Sequence, residues 1–285
     1  MAVVNTNISA SIAQSALMKN DRALGKAMEQ LSTGSRINSA ADDAAGLAIS
    51  TRMTSQINGL NVGIKNANDG ISMINTAEGA LVEVTNMLQR MRELALEASN
   101  GTTDVKDRTY MNKEYAALLA EIERVATKTE WNGRTILDNT ANGSSSGAVE
   151  FQIGVDTGTT LEVDFGDITQ SSGTMLSLAS STISAASTVS AQLVSSGVIT
   201  KIDSAIDAIN LQRSTLGAAS NRLTHTVDNL TNVVVNAEST RSSITDTDYA
   251  AATADLAKSQ IIAQAGTAML AQANQMPQTV LALLQ

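Results

Sequence analysis

The feature that most limits how this chain can fold is a run of apolar residues spaced three or four apart. It reads Ile57, Leu60, Ile64, Ala67, Ile71, Ile74, Ala77, Leu81, Val84, Leu88, Met91, Ala95, Ala98. That spacing keeps all of these side chains on one stripe of a continuous helix. No proline interrupts it, and Asn100-Gly101 supplies a C-terminal stop. At 1.5 Å per residue, a helix of about 50 residues is about 75–80 Å long, far beyond the usual globular length. Such a rod has to lie against other helices.

Its partners carry the same spacing. Met111, Tyr115, Leu118, Ile122 and Val125 form a shorter stripe that ends before Trp131-Asn132-Gly133. Ile202, Ile206, Ile209, Leu216, Leu223, Val227, Leu230, Val234 and Ala237 form a third, with Arg213 and Ser220 at two intervening seam positions. A small antiparallel coiled-coil bundle is the simplest way to bury all three. Composition agrees. Aromatic residues are 2% of the 285-residue chain and hydrophobic residues 43%, so burial has to come from Ala, Leu, Ile, Val and Met.

Both chain ends show the pattern more weakly. Leu17, Leu24, Met28 and Leu31 mark one face near the N-terminus, and Ile262, Met269, Ala273, Met276, Val280 and Leu283 one near the C-terminus. The apolar surface between Leu256 and Leu284 barely balances the cost of ordering its backbone. These ends are expected to be marginal alone and ordered by neighbouring copies.

The middle differs. Phe151, Ile153 and Val155 alternate with polar residues, a turn follows at Asp156-Thr-Gly-Thr-Thr, and Leu161, Val163 and Phe165 alternate again. This predicts a β-hairpin region over about 140–170. A Ser/Thr-rich segment over about 171–198 reads as exposed loop or frayed helix.

Little here supports catalysis. His225 is the one histidine and there is no cysteine, so neither a His–His metal site nor a catalytic triad can be built within one chain. No glycine-rich phosphate loop is present. The net charge of −9 argues against nucleic acid or an anionic membrane surface as partner. No stretch approaches the ~18 unbroken apolar residues of a membrane span. The start, Met1-Ala-Val-Val-Asn-Thr-Asn, lacks the basic and apolar regions of a Sec-type signal, so a dedicated exporter is expected. Asp42-Asp43 beside Arg36 could be an acid–base pair. Adjacent carboxylates at a helix start are favoured by the helix dipole and need no catalysis. The expectation is a non-enzyme without cofactor.

Several separated motifs resemble bacterial flagellin, in the order that family has them. Leu31-Ser-Thr-Gly-Ser-Arg-Ile-Asn-Ser-Ala-Ala-Asp-Asp-Ala-Ala-Gly-Leu-Ala-Ile resembles the spoke between its inner and outer filament domains. Asn66-Ala-Asn-Asp-Gly-Ile-Ser and Thr76-Ala-Glu-Gly-Ala-Leu resemble its long helix. Ala265-Gly-Thr-Ala-Met-Leu-Ala-Gln-Ala-Asn-Gln-Met-Pro-Gln and the closing Leu281-Ala-Leu-Leu-Gln285 are similar to its tail. The resemblance covers roughly residues 1–140 and 200–285, and the short middle resembles a flagellin without the large outer surface domains.

The resemblance implies a mainly α fold of long antiparallel coiled-coil helices with a small β-hairpin, both termini helical and paired in the polymer. An inner filament-core domain of residues 1–43 plus 246–285 would line a channel, with an outer domain of 44–245 around it. It implies a homopolymeric, extracellular filament for motility, exported by the flagellar type III apparatus with a chaperone, cap and junction proteins as partners. The assembly seam would be Leu17, Leu24, Met28, Leu31, Ile262, Met269, Met276, Val280 and Leu283, with Arg36 and Asp43 influencing filament form. Leu88, Gln89, Arg90, Glu93, Leu94 and Glu114 match the stretch read by the flagellin-sensing Toll-like receptor of animals. O-glycosylation of exposed Ser or Thr between Gly143 and Ser196 is implied above use of the Asn142-Gly-Ser sequon. Two alternatives share some of these features: a hook–filament junction protein, and a secreted helical effector or adhesin.

Overall fold

A computed structural model of the chain describes residues 7–138, 147–169 and 188–283, with backbone alone for 188–196 and 276–283. Five helices are described: α1 (Ile8–Thr33), α2 (Ala44–Ser99), α3 (Val105–Lys128), α4 (Thr188–Thr245) and α5 (Tyr249–Leu283). Between α3 and α4 lie β1 (Glu130–Trp131), β2 (Arg134–Thr135), β3 (Ala148–Gln152) and β4 (Thr160–Asp164). The chain divides into two compact units, Met1–Ile57 with Val235–Gln285, and Asn58–Val234.

The second unit holds a continuous core. On α2 the predicted stripe is buried from Ala67 through Ala98, with Ile64 and Ile71 half-buried. Tyr115, Ile122 and Ala126 face it from α3, and Ile202, Ile209, Leu216 and Leu223 from α4. The pairs Arg92–Asp203 and Glu78–Arg213 set α2 and α4 antiparallel. Exposed pairs of this kind add little stability; here they report register.

The α4 seam contains the predicted Ile202, Ile209, Leu216 and Leu223, but its alternate positions are not those expected. Its buried residues are Val198, Ile202, Ala205, Ile209, Gln212, Leu216, Ala219 and Leu223, an unbroken heptad alternation. Ile206, Arg213 and Ser220 sit one position away and are half-buried. Ala205, Gln212 and Ala219 occupy alternate seam positions, and buried Gln212 donates its Nε2 to the Asp164 carbonyl at the end of β4 (2.7 Å). The low-complexity stretch also differs in part. Residues 188–198 are the first turns of α4, with Val198 buried, whereas 170–187 and the Asn142 sequon lie outside the described residues.

Two antiparallel hairpins close the unit. β3 and β4 pair Phe151 with Leu161 and Val149 with Val163. The strands end at Gln152, so Ile153 and Val155 belong to the turn rather than to the strand expected there. β1 and β2 form a second hairpin around Asn132 (φ 52°) and Gly133 (φ 75°). Asn-Gly favours this tight turn because both central residues must adopt positive φ.

The larger hairpin lies directly on α2. Asn66 Nδ2 donates to the Gln152 carbonyl at 2.9 Å. At Gly63 an added Cβ would stand 2.6 Å from the Ile153 carbonyl oxygen, too close for any side chain. Gly79, on the same helix, has nothing within 4 Å of that position. Alanine favours a helix over glycine by about 1 kcal/mol, so the two sites separate packing from propensity. Gly79→Ala should raise the thermal midpoint of the bundle, whereas Gly63→Ala should lower it, overpacking costing about 1–3 kcal/mol of stability. Circular dichroism melts check both.

Candidate assembly and recognition surfaces

The first unit has no comparable core. Among its described residues the buried hydrophobics are Ala27, Ile37, Ile57 and Ala252. Helices α1 and α5 run antiparallel and close together, tied by Asn20 Nδ2 to the Ser259 carbonyl (2.8 Å) and Asn7 Nδ2 to the Ala273 carbonyl (2.7 Å). Their shared seam follows heptad spacing: Ala13, Leu17, Asn20, Leu24, Ala27 and Leu31 on α1. Ala252, Leu256, Ser259, Ala263, Gly266, Leu270 and Ala273 answer from α5. Small residues let the backbones approach; a Cβ on Gly266 would touch Leu17 at 3.3 Å.

Of the residues expected to form one assembly seam, Leu17, Leu24 and Leu31 therefore face α5 in the same chain. Met28, Ile262 and Met269 do not; they are 56%, 45% and 64% exposed. The side chains of Met276, Val280 and Leu283 lie outside the described residues. Ile262 and Met269 border an apolar cleft of about 420 Å³ with Ile12, Ala16 and Leu17. The pair thus meets through small residues and leucines and leaves Ile12, Met18, Met28, Ile262 and Met269 exposed. Counting only large apolar residues hid Asn20 and Ser259; continuing the heptad phase through small and polar positions would have found them.

Residues 34–43 and 244–249 form a clasp. Arg36 N–H donates to the Thr245 carbonyl and Arg36 Nη2 to the Ile244 carbonyl, each at 2.6 Å. A guanidinium at the end of α4 meets carbonyls that the helix itself leaves unpaired, at the negative end of its dipole. Thr247 N–H donates to Gly34 in return (3.0 Å), and Ser35 bridges to Asp246. Gly34 ends α1 in the left-handed region at φ 71°, the conformation such a stop requires. Asp43 caps α2 by accepting from Gly46 N–H at 2.9 Å. Asp42 accepts from Lys26 Nζ (2.8 Å) and from Ser39 N–H (3.1 Å). Neither carboxylate is poised as an acid–base pair; both have structural hydrogen-bonding duties.

On the second unit, Arg90 joins α2 to α3. Its Nε donates to Glu114 (2.9 Å) and its Nη1 to Glu93 (3.0 Å). Glu114 first, then Glu93, raise the pKa of the Arg90 guanidinium. These three and Gln89 are exposed, whereas Leu88 and Leu94 are buried, so Leu88 contributes packing rather than contact surface. Leu94 closes the floor of an open cleft of about 550 Å³ whose walls include Arg90, Glu97, Asp107, Tyr110 and Glu114. Tyr110 is mostly exposed, with Lys113 Nζ 5.9 Å from its ring centroid. Sequence spacing passed over Tyr110 because it lies off the α3 stripe.

No helix among the described residues is long and apolar enough to cross a membrane, and none of their acidic or histidine side chains cluster as metal ligands. Long helices, with a terminal pair that buries few apolar residues, are suited to packing against further helices. The family comparisons are specific. The bacterial flagellin N-terminal helical region matches residues 4–142 and the bacterial flagellin C-terminal helical region residues 199–284. The flagellin of Halalkalibacterium halodurans is 42% identical over 99% of this chain and 100% of its own length. That of Bacillus subtilis is 40% identical over 99% of each. A Vibrio parahaemolyticus chain described as a flagellar hook-associated protein shares the fold alone, at 15% identity and a TM-score of 0.57, covering 72% of this chain and all of its own.

The chain belongs to the bacterial flagellin family. It is a structural subunit of the flagellar filament, an extracellular homopolymer.

Lys26, and then Ser39 N–H, hold the Asp42 carboxyl at about 2, below its ordinary 3.8. A carboxylate whose pKa falls on folding stabilises the fold above its ordinary value, and that contribution fades as pH drops from 3.8 towards 2. Carboxyl-carbon NMR should find Asp42 titrating near 2. Lys26→Met should move that midpoint upward, and an unchanged midpoint would mean the ion pair does not form in solution.

Proposed function

We propose that polymerisation is driven by the α1–α5 pair acquiring from neighbouring copies the burial it lacks alone. The observation that carries this reading is the exposure of Met28, Ile262 and Met269 on a unit with four buried hydrophobics among its described residues. Burying such side chains yields about 1.5–3 kcal/mol each, and a helical array repeats that gain at every subunit. In this reading residues 1–43 and 246–285 make the filament core and 44–245 the surrounding tube. Leu17, Leu24 and Leu31 hold the pair together, while Met276, Val280 and Leu283 extend the contact surface.

A subunit whose ends do not hold themselves rigid is suited to passage unfolded through the flagellar type III exporter. A chaperone would cover the apolar tail in the cell, and the cap and junction proteins would meet the same surfaces outside. Arg36 and Asp43 tune filament form, because the clasp they build fixes where α1 ends and α5 begins. Deleting Ile262–Gln285 should abolish seeded polymerisation while leaving the bundle's helical signal and melt intact. Truncated protein that still forms filaments would refute the proposal. In the same micrographs Arg36→Ala and Asp43→Asn should change filament curvature, and unchanged curvature would remove that role.

A second role is supported by the exposed Arg90–Glu93–Glu114 cluster: recognition of the monomer by the flagellin-sensing Toll-like receptor of animals. A guanidinium already oriented by two carboxylates presents directional donors at low entropic cost. Monomer should activate receptor-bearing reporter cells, with Arg90→Ala weakening the response at least about tenfold, as for loss of a central arginine anchor. Silence at saturating dose would refute recognition.

A further inference from the structure

Apart from half-buried Met53 on α2, the described methionines fall into two environments. Met73 and Met91 are buried in the bundle, with Met87 and Met111 half-buried beside them. The exposed ones, Met18, Met28 and Met269, all lie on α1 and α5. Met269 is 64% exposed and stands in the wall of the apolar cleft, with Ile12, Leu17 and Ile262 around it. Its thioether is therefore open to solvent in a place that has no polar function to serve.

We infer that Met269 is a modification site at which a two-electron oxygen donor, such as hydrogen peroxide, takes the free subunit out of polymerisation. The Sδ lone pair attacks one peroxide oxygen, the O–O bond breaks, and an S–O bond forms. The second oxygen leaves as water after proton transfer. Sulfur is oxidised by two electrons and peroxide reduced by the same two. The product replaces an apolar, adaptable side chain with a polar, chiral one. A sulfoxide oxygen pressed into the apolar contact between copies would have no hydrogen-bond donor, and the cost of burying it opposes addition to the filament. Polymerised subunits are shielded by the same contact, so sensitivity belongs to the subunit before it joins. The inference rests on the proposed role of the α1–α5 surface.

Modification interference tests it with the intact chain. Monomer is partly oxidised with hydrogen peroxide and mixed with sonicated filament fragments. Pellet and supernatant are then separated, and sulfoxide at each methionine is quantified by peptide mass spectrometry. Met269 should oxidise faster than Met73 and Met91, and its sulfoxide should be at least about tenfold depleted from the pellet, as expected for burying an unsatisfied polar atom. Treating the supernatant with methionine sulfoxide reductases for both epimers should return it to the pellet. Equal Met269 sulfoxide in both fractions would overturn the inference while leaving the filament reading intact. So would depletion at Met18 or Met28 alone, oxidation of Met269 no faster than Met91, or failure of the reductases to restore addition. Untreated protein that never adds to the fragments would overturn the filament reading and this inference with it.

Discussion

The stripe along α2 is the surface on which the second unit is built. From Ala67 to Ala98 it is almost wholly removed from water, and α3, both hairpins and α4 supply the atoms that cover it. Because the stripe follows one helix for several heptads, burial is spread thinly along a rod rather than gathered around a centre. That is how a chain with 2% aromatic residues can hold a core: many Ala, Leu, Ile and Met contacts at low individual value sum along the length. It also explains the glycines. Where the hairpin backbone must approach the helix, at Gly63, a side chain has been given up for a carbonyl contact.

The terminal helices use the same heptad geometry with a different choice of residues. Ala, Gly, Ser and Asn alternate with Leu along the α1–α5 seam, so the pair is closely apposed and internally hydrogen-bonded. It nonetheless buries little apolar surface. A helix pair of this type is defined in direction and register but weakly held. Register is supplied by buried Asn20, whose amide finds a partner only when Ser259 lies opposite. Specificity and stability are thus divided between different side chains.

How much of this could be read from sequence depended on side-chain size. The α2 stripe was legible because its three- and four-residue steps run unbroken and carry large residues at most positions. On α4 Ile202, Ile209, Leu216 and Leu223 were legible, but the positions alternating with them are Ala205, Gln212 and Ala219 rather than Ile206, Arg213 and Ser220, because alanine and glutamine score low in any search for hydrophobes. On α5 the half-buried Ala263, Gly266 and Leu270 of the contact with α1 went unread, and the exposed Ile262 and Met269 lie beside it. The displaced large residues flank the contact, where their bulk is left for something else. The hairpin at Trp131-Asn132-Gly133 was missed although its turn dipeptide was in plain view, since strands of two residues carry no alternation to detect. Among the residues proposed for recognition, the exposure of Arg90 and Glu93 followed from their place off the α2 stripe, but the burial of Leu94 depended on which way α2 is rotated.

The clasp at Arg36 has a consequence for how chains of this kind can vary. Residues 36 and 245 are held side by side by a backbone hydrogen bond, although more than two hundred positions separate them in sequence. The ends of everything between are therefore already brought together. For a polymer with pinned ends, each doubling of an inserted segment adds only about 0.6 kcal/mol of closure entropy. Material can be spliced into the Ser/Thr-rich interval before α4 without asking the extremities of the chain to find each other again. Growth or loss of peripheral domains is thereby thermodynamically cheap, while the residues at either extremity remain under the full constraint of fitting one another.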